Sequence, residues 1–463
     1  MFALKDQHKE KRKTEMKNIT QKNIQHFAAT ALILALSGSA HAAASPINED
    51  LKLTADDAIL SPNLAIFGTT AIIGAPSNDE GGVFASGSVY LFDTTTGQQL
   101  PFTLTAEDAV AGDRLGISVA ISGTTAIVGG AGDVNNDDRD AGLAYLFNTT
   151  TGQQRFKLTA SDADSADGFG KSVAISGTTA IIGAPGNDGA GPQSGSAYIY
   201  NTMTGEQLFI LTADDSITQA AFGESVAISG TTAIVGARDN RGGSFFGSGL
   251  AYLFDTTTGQ QLPFTLTADN PMAGDSFGES VAISGTTAIV GAHLHDGSGS
   301  AYLFNTTTGQ QLFKLTASDA AAGDQFGVSV AISGTTAIIG AIRNDDEGID
   351  SGSAYLFDTT TGEQLAKLAA SDAAGGDNFG ISVSISGTTV IVGARTASGS
   401  AYLFDTQPCP ADLNCDGVLD FYDIPVFLTA FENMDASADF TGDSIFDFND
   451  VAAFLALFAM GCP

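Results

Sequence analysis

Tryptophan is absent from the 463 residues, cysteine occurs three times, and Lys and Arg together number 19 against 52 acidic residues. Each shortage removes a class of function. Without Trp the chain lacks the largest flat ring on which sugars stack. Three cysteines cannot build a disulfide-dense scaffold, so an apolar core must hold the fold, and 43% hydrophobic residues over this length can supply one. A formal net charge of -33 repels phosphate backbones and anionic membranes, which argues against nucleic acid as a partner. Only His293 and His295 lie beyond position 42, together in one loop. Zinc sites need three or four ligands, so this His-x-His is read as surface.

The first 42 residues follow a logic of their own. They hold seven of the basic residues and three acids, which leaves 12 basic and 49 acidic residues for the rest. Phe27–Leu36 is a ten-residue apolar run, too short to cross a bilayer as a mature helix. Basic residues precede it and Ala40-His41-Ala42 follows as an A-x-A cleavage site, so residues 1–42 read as a secretory signal peptide, with Met16 as an alternative initiator. No later segment is long and apolar enough to be a transmembrane helix. The expectation is export to an extracellular or cell-surface location.

Glycine is plentiful, at 55 residues, and it is periodic. The string Gly-Thr-Thr-Ala/Val recurs with its glycine at Gly68, Gly123, Gly177, Gly230, Gly285, Gly334 and Gly387. Seven copies of about 50 residues predict the blades of a propeller. Within one copy, Ser172–Ser176, Thr178–Ala184, Ser196–Tyr200 and Gln207–Thr212 read as four strands of a meander. The last copy stops at Tyr402-Leu403-Phe404 without a fourth strand, while an orphan fourth strand, Leu51–Ala55, precedes the first. Pairing the two would close the ring and hide two sheet edges. The fold class is therefore an all-β seven-bladed propeller over residues 43–405.

The units resemble FG-GAP repeats, as in integrin α-chain propellers. Phe-Gly stands at 169–170, 222–223, 277–278, 326–327 and 379–380, and Gly-Ala-Pro at 74–76 and 183–185. The second copy has Leu115-Gly116 instead, and the first copy lacks the dipeptide. Integrin-type calcium loops lie between these two motifs, where this chain has only Ser-Gly-Thr-Thr, so calcium binding by the propeller does not carry over.

A meander puts the first and third turns at one end of each blade, and the second turn and the inter-blade link at the other. The first and third turns are nearly uniform, Ser-Gly-Thr-Thr and Asp/Asn-Thr-Thr-Thr-Gly, whereas the second turn varies. Binding residues favour variable loops on a rigid scaffold. The candidate ligand residues are therefore Asp133, Asp137, Asp138, Asp140, Asp239, Arg241, Asp345, Asp346 and Asp350. No phosphate loop and no distinct carboxylate pair of the glycosidase kind stands out, and a non-enzyme is expected.

Past a short linker, 406–408, the composition changes. Asp412, Asp416, Asp420 and Asp423 recur 27 positions on as Asp439, Asp443, Asp447 and Asp450. They occupy positions 1, 5, 9 and 12 of a twelve-residue calcium loop, with Asn414 and Thr441 at position 3. Ile424, Phe427, Leu428 and Phe431, repeated as Val451, Phe454, Leu455 and Phe458, form one apolar helical face. The pattern resembles a type I dockerin over 409–463, of the kind flanked by Gly-Cys anchors in planctomycete-like bacteria. The resemblance implies two Ca2+ ions. The first set would be Asp412, Asn414, Asp416, the Val418 carbonyl, Asp420 and Asp423. The second would be Asp439, Thr441, Asp443, the Ile445 carbonyl, Asp447 and Asp450. It also implies docking onto a cohesin-like or cell-envelope protein through Phe421, Tyr422, Phe448 and Asn449. Cys409 and Cys462 bracket the module and are expected to pair, which would stabilise it by about 4 kcal/mol on the loop-entropy estimate. Cys415 is left as an odd thiol.

The function expected from these features is non-catalytic recognition or adhesion, tethered through the C-terminal module. The alternatives are a polysaccharide-active enzyme carried by the dockerin-like module and a structural surface-layer component.

Overall fold

The computed structural model describes residues 49–55, 60, 63–131, 141–215, 218–239, 247–396, 399–406, 411, 413, 421–435, 438–441 and 445–460. The chain divides into a unit spanning Pro46–Thr406 and a second that holds Gln407–Pro463.

The larger unit is seven four-stranded antiparallel sheets. Their first strands are Leu64–Phe67, Ser118–Ser122, Ser172–Ser176, Phe222–Ser229, Val281–Ser284, Phe326–Ser333 and Ser382–Ser386, which number the blades one to seven. First strands of neighbouring blades touch one another all the way round, including the seventh against the first. The ring is therefore closed, with the first strands innermost. The second strands, such as Thr179–Ala184, are buried on both faces, which explains their continuous apolar run.

Closure follows the expected route over a shorter segment. Leu51–Leu53 rather than Leu51–Ala55 forms the strand, pairing antiparallel with Ser400–Asp405 through Leu51 opposite Leu403 and Leu53 opposite Ala401. The seventh sheet is thus built from both ends of the propeller unit. Leu53, Ile391 and Leu403 share one core cluster with Ile66, Ile73 and Tyr90 of the first blade. Each fully buried large apolar side chain contributes about 1.5–3 kcal/mol, and every seam between blades is filled this way.

The Phe-Gly and Gly-Ala motifs acquire a physical meaning at these seams. The ring of Phe222 is fully buried, edge-on to Phe254 at 5.8 Å and tilted against Tyr252 at 5.7 Å. A Cβ added to Gly183, in the third blade's Gly-Ala, would stand 2.0 Å from the Gly223 carbonyl oxygen of the fourth blade. The two backbones approach so closely that only glycine fits. Ser172 Oγ donates to the same Gly223 oxygen at 2.8 Å, and the equivalent serines 118, 225, 280 and 329 do likewise at their seams. The first blade, which lacks Phe-Gly in sequence, uses the buried Leu60: its carbonyl oxygen would meet a Cβ on Gly399 at 1.9 Å. Phe222 and Phe326 stand in the same relation to Gly195 and Gly299.

The smaller unit contains two helices, α1 (Asp423–Glu432) and α2 (Phe448–Met460). Phe427 of α1 and Phe454 of α2, 27 positions apart, stack at 4.1 Å with an interplanar angle of 2°. Ala411 and Ala438, another pair at that offset, are both buried in the same core.

Candidate functional site

The two ends of the ring differ in what their side chains do. At the uniform end the turns are locked internally. Asp93 Oδ1 accepts hydrogen bonds from the backbone N–H of Thr95 at 2.8 Å and of Thr96 at 3.1 Å, and Asn148, Asn201, Asp255, Asn305 and Asp358 repeat the pattern. The Thr95 hydroxyl and N–H hold the Asp93 carboxyl below the usual carboxylate range. These Asp and Asn side chains are turn caps.

At the variable end three of the third-strand tyrosines donate to acids of the incoming link. Tyr145 Oη donates to Asp108 at 2.7 Å, Tyr198 to Asp162 at 2.9 Å and Tyr402 to Asp372 at 2.9 Å. Burial, reinforced by Asp108, pushes the Tyr145 hydroxyl far up. Fourth-strand lysines complete some of these sets: Lys157 reaches Asp108 at 2.5 Å and lies 5.5 Å over the Tyr145 ring, whereas Lys314 turns to Asp296 of the second turn at 2.6 Å. Packing explains these tyrosines, as their third-strand position suggests.

Asp133, Asp137, Asp138, Asp140 and Arg241 lie outside the described residues. The others are engaged within the chain. Asp345 Oδ1 accepts the Asp350 N–H at 2.8 Å and so braces its own loop. Asp346 pairs with Lys367, Asp350 lies 3.9 Å from Arg343, and Asp239 lies 3.5 Å from Arg238 Nε. Asp188 does for the third blade's turn what Asp345 does for the sixth, accepting the Gln193 N–H at 2.8 Å.

A charged cluster outside the candidates named from sequence sits at the inner edge of this end. Arg238 Nη1 stands 3.6 Å from Glu224 of its own blade and 3.8 Å from Glu279 of the next. Glu279 Oε2 is 3.3 Å from His293 Nδ1. Burial pushes the His293 imidazole down, towards its neutral form, with Glu279 opposing and Arg238 and Arg343 assisting. A cavity of about 630 Å³ adjoins the cluster between the third and fourth blades, with Gln193, Gln219, Glu224 and Asp239 on its wall. The signal was present in the repeat register. The residue after Phe-Gly is Glu in the fourth and fifth blades but Val328 and Ile381 in the sixth and seventh.

The histidine loop requires a correction. His295 is fully buried, not on the surface. Its Nδ1 lies 2.8 Å from Asp275 Oδ2, and its Nε2 lies 3.0 Å from Asp296 Oδ2 and 3.2 Å from Asn270 Nδ2. The sibling positions explain why. Asn187 occupies the same place in the third blade, donating from Nδ2 to Asp167 at 3.0 Å. His295 is an asparagine substitute bracing the turn.

The neighbouring string Gly274-Asp275-Ser276-Phe277-Gly278 has the spacing of a nucleophile elbow. Ser276 has a φ of 56°, but Arg114 and Gln325, at the same repeat position, share that conformation at 51° and 59°. Among the described residues no hydrogen bond joins Ser276 to either histidine. The string is the repeat's own Gly-Asp-x-Phe-Gly.

In the smaller unit, Cys409, Asp412, Asn414, Asp416, Val418, Asp420, Asp443 and Cys462 lie outside the described residues. Asp423 and its counterpart Asp450 are both covered, each in the first turn of its helix. Asp450 Oδ1 accepts the Thr441 N–H at 3.0 Å and its hydroxyl at 2.9 Å, while Oδ2 accepts the Asp447 N–H at 2.9 Å. These bonds, led by the Asp447 N–H, hold its carboxyl below the usual range. Asp439 lies at 3.5 Å from Thr441 Oγ1. Phe421, Tyr422 and Phe448 are exposed beside the helix starts. Among the described residues no group of three or more His, Cys, Asp or Glu is arranged to hold a metal ion.

No described helix is long and apolar enough to cross a membrane. No curated protein matches the chain. The FG-GAP repeat family matches it at residues 102–147, 153–200, 206–254, 264–304, 310–357 and 363–404, each match running from the fourth strand of one blade to the third strand of the next. These six matches cover more than half of the sequence, and the chain belongs to the FG-GAP repeat family.

Proposed function

We propose that this protein is an exported, non-catalytic recognition propeller, held to a partner or to the cell envelope by a calcium-dependent, dockerin-like C-terminal module. The observation that carries the reading is the contrast between the two ends of the ring. One end is made of near-identical capped turns, and the other carries every turn that differs in length and chemistry. The signal-like leader, 1–42, supports export.

The tether rests on the duplicated loops. Their donors are all oxygens, which suits a hard cation. Covered Asp423 and Asp450, 27 positions apart, support a shared role at position 12 of each loop. Asp412, Asn414, Asp416, Asp420 and Asp423 would hold one ion with the Val418 carbonyl. Asp439, Thr441, Asp443, Asp447 and Asp450 would hold the other with the Ile445 carbonyl. Bound calcium would neutralise acids that otherwise repel one another and so favour packing of the Phe427–Phe454 core. The exposed Phe421, Tyr422 and Phe448, with Asn449, form the surface proposed for a cohesin-like partner.

The test is capture of the purified full chain by an envelope fraction of its source cells. Retention in calcium, release by chelator, and loss on replacing Asp412 and Asp450 by Ala are expected. Retention indifferent to all three would contradict the tether.

A further inference from the structure

The seven blades act as controls for one another. Positions that all blades share are required by the ring. A position where some blades place a charge and others an apolar residue, on the same backbone, is not. At the inner edge of the variable end, Ile117, Val328 and Ile381 fill the place that Glu224 and Glu279 take in the fourth and fifth blades. Pro76, Ala131, Pro185 and Ile342 fill the place of Arg238 and His293, while the third blade has Lys171 at the first place and the seventh has Arg395 at the second. The second and sixth blades therefore do without any of these charges, and burying them carries a desolvation cost. The Glu224 side chain is only 13% exposed and that of His293 11%.

These groups are also incompletely satisfied. Arg238 stands 3.5–3.8 Å from Glu224, Asp239 and Glu279, longer than a good hydrogen bond, so its N–H groups and the facing oxygens keep bonding capacity. His293 Nδ1 is buried, and although Glu279 is near it is not aligned to bond it. The adjoining cavity, about 630 Å³, falls within the range that holds small molecules or short oligomers.

We propose that this cavity, with the Glu224–Arg238–Glu279–His293 arc beside it, binds a neutral, hydroxyl-rich ligand: a saccharide segment. The proposal rests on the reading of the variable end as the recognition face, and it names the ligand class. The arc alternates acceptors and donors. An incoming ammonium would find Glu224 and Asp239 already facing the Arg238 guanidinium at 3.6 and 3.5 Å. An incoming carboxylate would meet Glu224 and Asp239 on the wall. A hydroxyl donates to these carboxylates, and the amides of Gln193 and Gln219 can donate or accept. Among the described residues on its wall the polar groups are the side chains of Gln193, Gln219, Glu224 and Asp239, which select a ligand by hydrogen bonds.

The experiment is affinity electrophoresis of the full chain through gels holding neutral polysaccharides (dextran, laminarin, xyloglucan), alginate or glycol chitosan. The key variant takes the residue of the sibling blades, Glu224→Ile with Glu279→Ile, so the backbone is already known to accept it. A second, Glu224→Gln, removes the charge and keeps the hydrogen bonds. The expected result is retardation by at least one neutral polymer, weakened about tenfold or more in the double Ile variant and largely kept in Glu224→Gln. Retardation by alginate or glycol chitosan alone, no retardation by any neutral polymer, or retardation that survives the double variant would each overturn the assignment. If the double variant loses capture by an envelope fraction while no polysaccharide retards the wild type, the saccharide is wrong and the recognition face stands. If capture is indifferent to every change at the variable end, the face itself is wrong.

Discussion

Lys52 Nζ lies 2.5 Å from Asp372 Oδ2, across 320 positions of sequence, and 5.1 Å above the ring of Tyr402, whose hydroxyl donates to the other oxygen of the same carboxylate. This contact ties the closing strand to the link that enters the seventh blade. The strand itself is only three residues long, so its hold comes from the buried Leu53 more than from the ion pair.

Two substitutions separate those contributions. Lys52→Met is expected to cost less than about 1 kcal/mol, because the pair is partly exposed. Leu53→Ala should cost about 2–5 kcal/mol and open the seventh blade first. The pH dependence has a defined sign. The Lys52 hydrogen bond, against some burial, lowers the Asp372 pKa, so its stabilisation is present above the unfolded aspartate value of about 4 and is lost as pH falls through the folded value. Acid denaturation curves of wild type and Lys52→Met should converge below that range. A gap that widens on acidification would contradict the assignment.

The seams make a second prediction. Phe222→Ala removes a fully buried ring and should destabilise by about 3–5 kcal/mol. Gly183→Ala forces a Cβ against the Gly223 carbonyl and should cost about 1–3 kcal/mol or more. Gly177→Ala, at a turn with nothing within 4 Å of the added carbon, meets only the backbone strain of its φ of 57° and should cost less than Phe222→Ala. Chemical denaturation ranks the three; equal losses would mean that the seams do not carry the stability.

His295 supplies a third. If it is a packing substitute for asparagine, His295→Asn should preserve stability, because Asn187 makes the equivalent bond to Asp167. His295→Leu leaves the buried Asp275 without its ring partner and should cost about 1–3 kcal/mol. Equal melting of the Asn and Leu variants would remove the bracing role.

The blade count, the closing strand and the uniform and variable ends were legible because each depends on patterns that repeat: apolar alternation, Phe-Gly, Gly-Ala and turn chemistry. The substitute at the first seam was not legible, because Leu60 is recognisable only by the carbonyl it presents to Gly399. Charge and loop position alone mark the acids named as ligand candidates. Only its bond to the Asp350 N–H separates Asp345 from a free carboxylate, and that bond is not written in the sequence. The Glu224–Arg238–Glu279 cluster was hidden for the opposite reason, since three charges distant in sequence look unrelated until the ring brings two blades together.

Calcium provides a fourth prediction. Titration of the full chain should give binding in the range of about 0.1–1 mM or tighter, with the first loop the stronger, because it has Gly417 at the position where calcium loops favour glycine and the second has Ser444. Asp412→Ala should remove the tighter site, and Asp450→Ala the weaker. In calorimetry, chelation should melt only the smaller unit and leave the propeller transition in place. A propeller transition that falls steeply in chelator would show calcium loops in the blades, and no calcium heat at all would contradict the module.

The central claim is that recognition belongs to one end of the ring. Hydrogen–deuterium exchange on the full chain, alone and with a calcium-containing envelope extract that retains it, tests this directly. The account predicts added protection in the second turns and inter-blade links, strongest at residues 185–194, 219–224 and 236–239, and none in the Asp/Asn-Thr-Thr-Thr-Gly turns. Protection concentrated in those uniform turns, with the variable end exchanging as in the free protein, would contradict it.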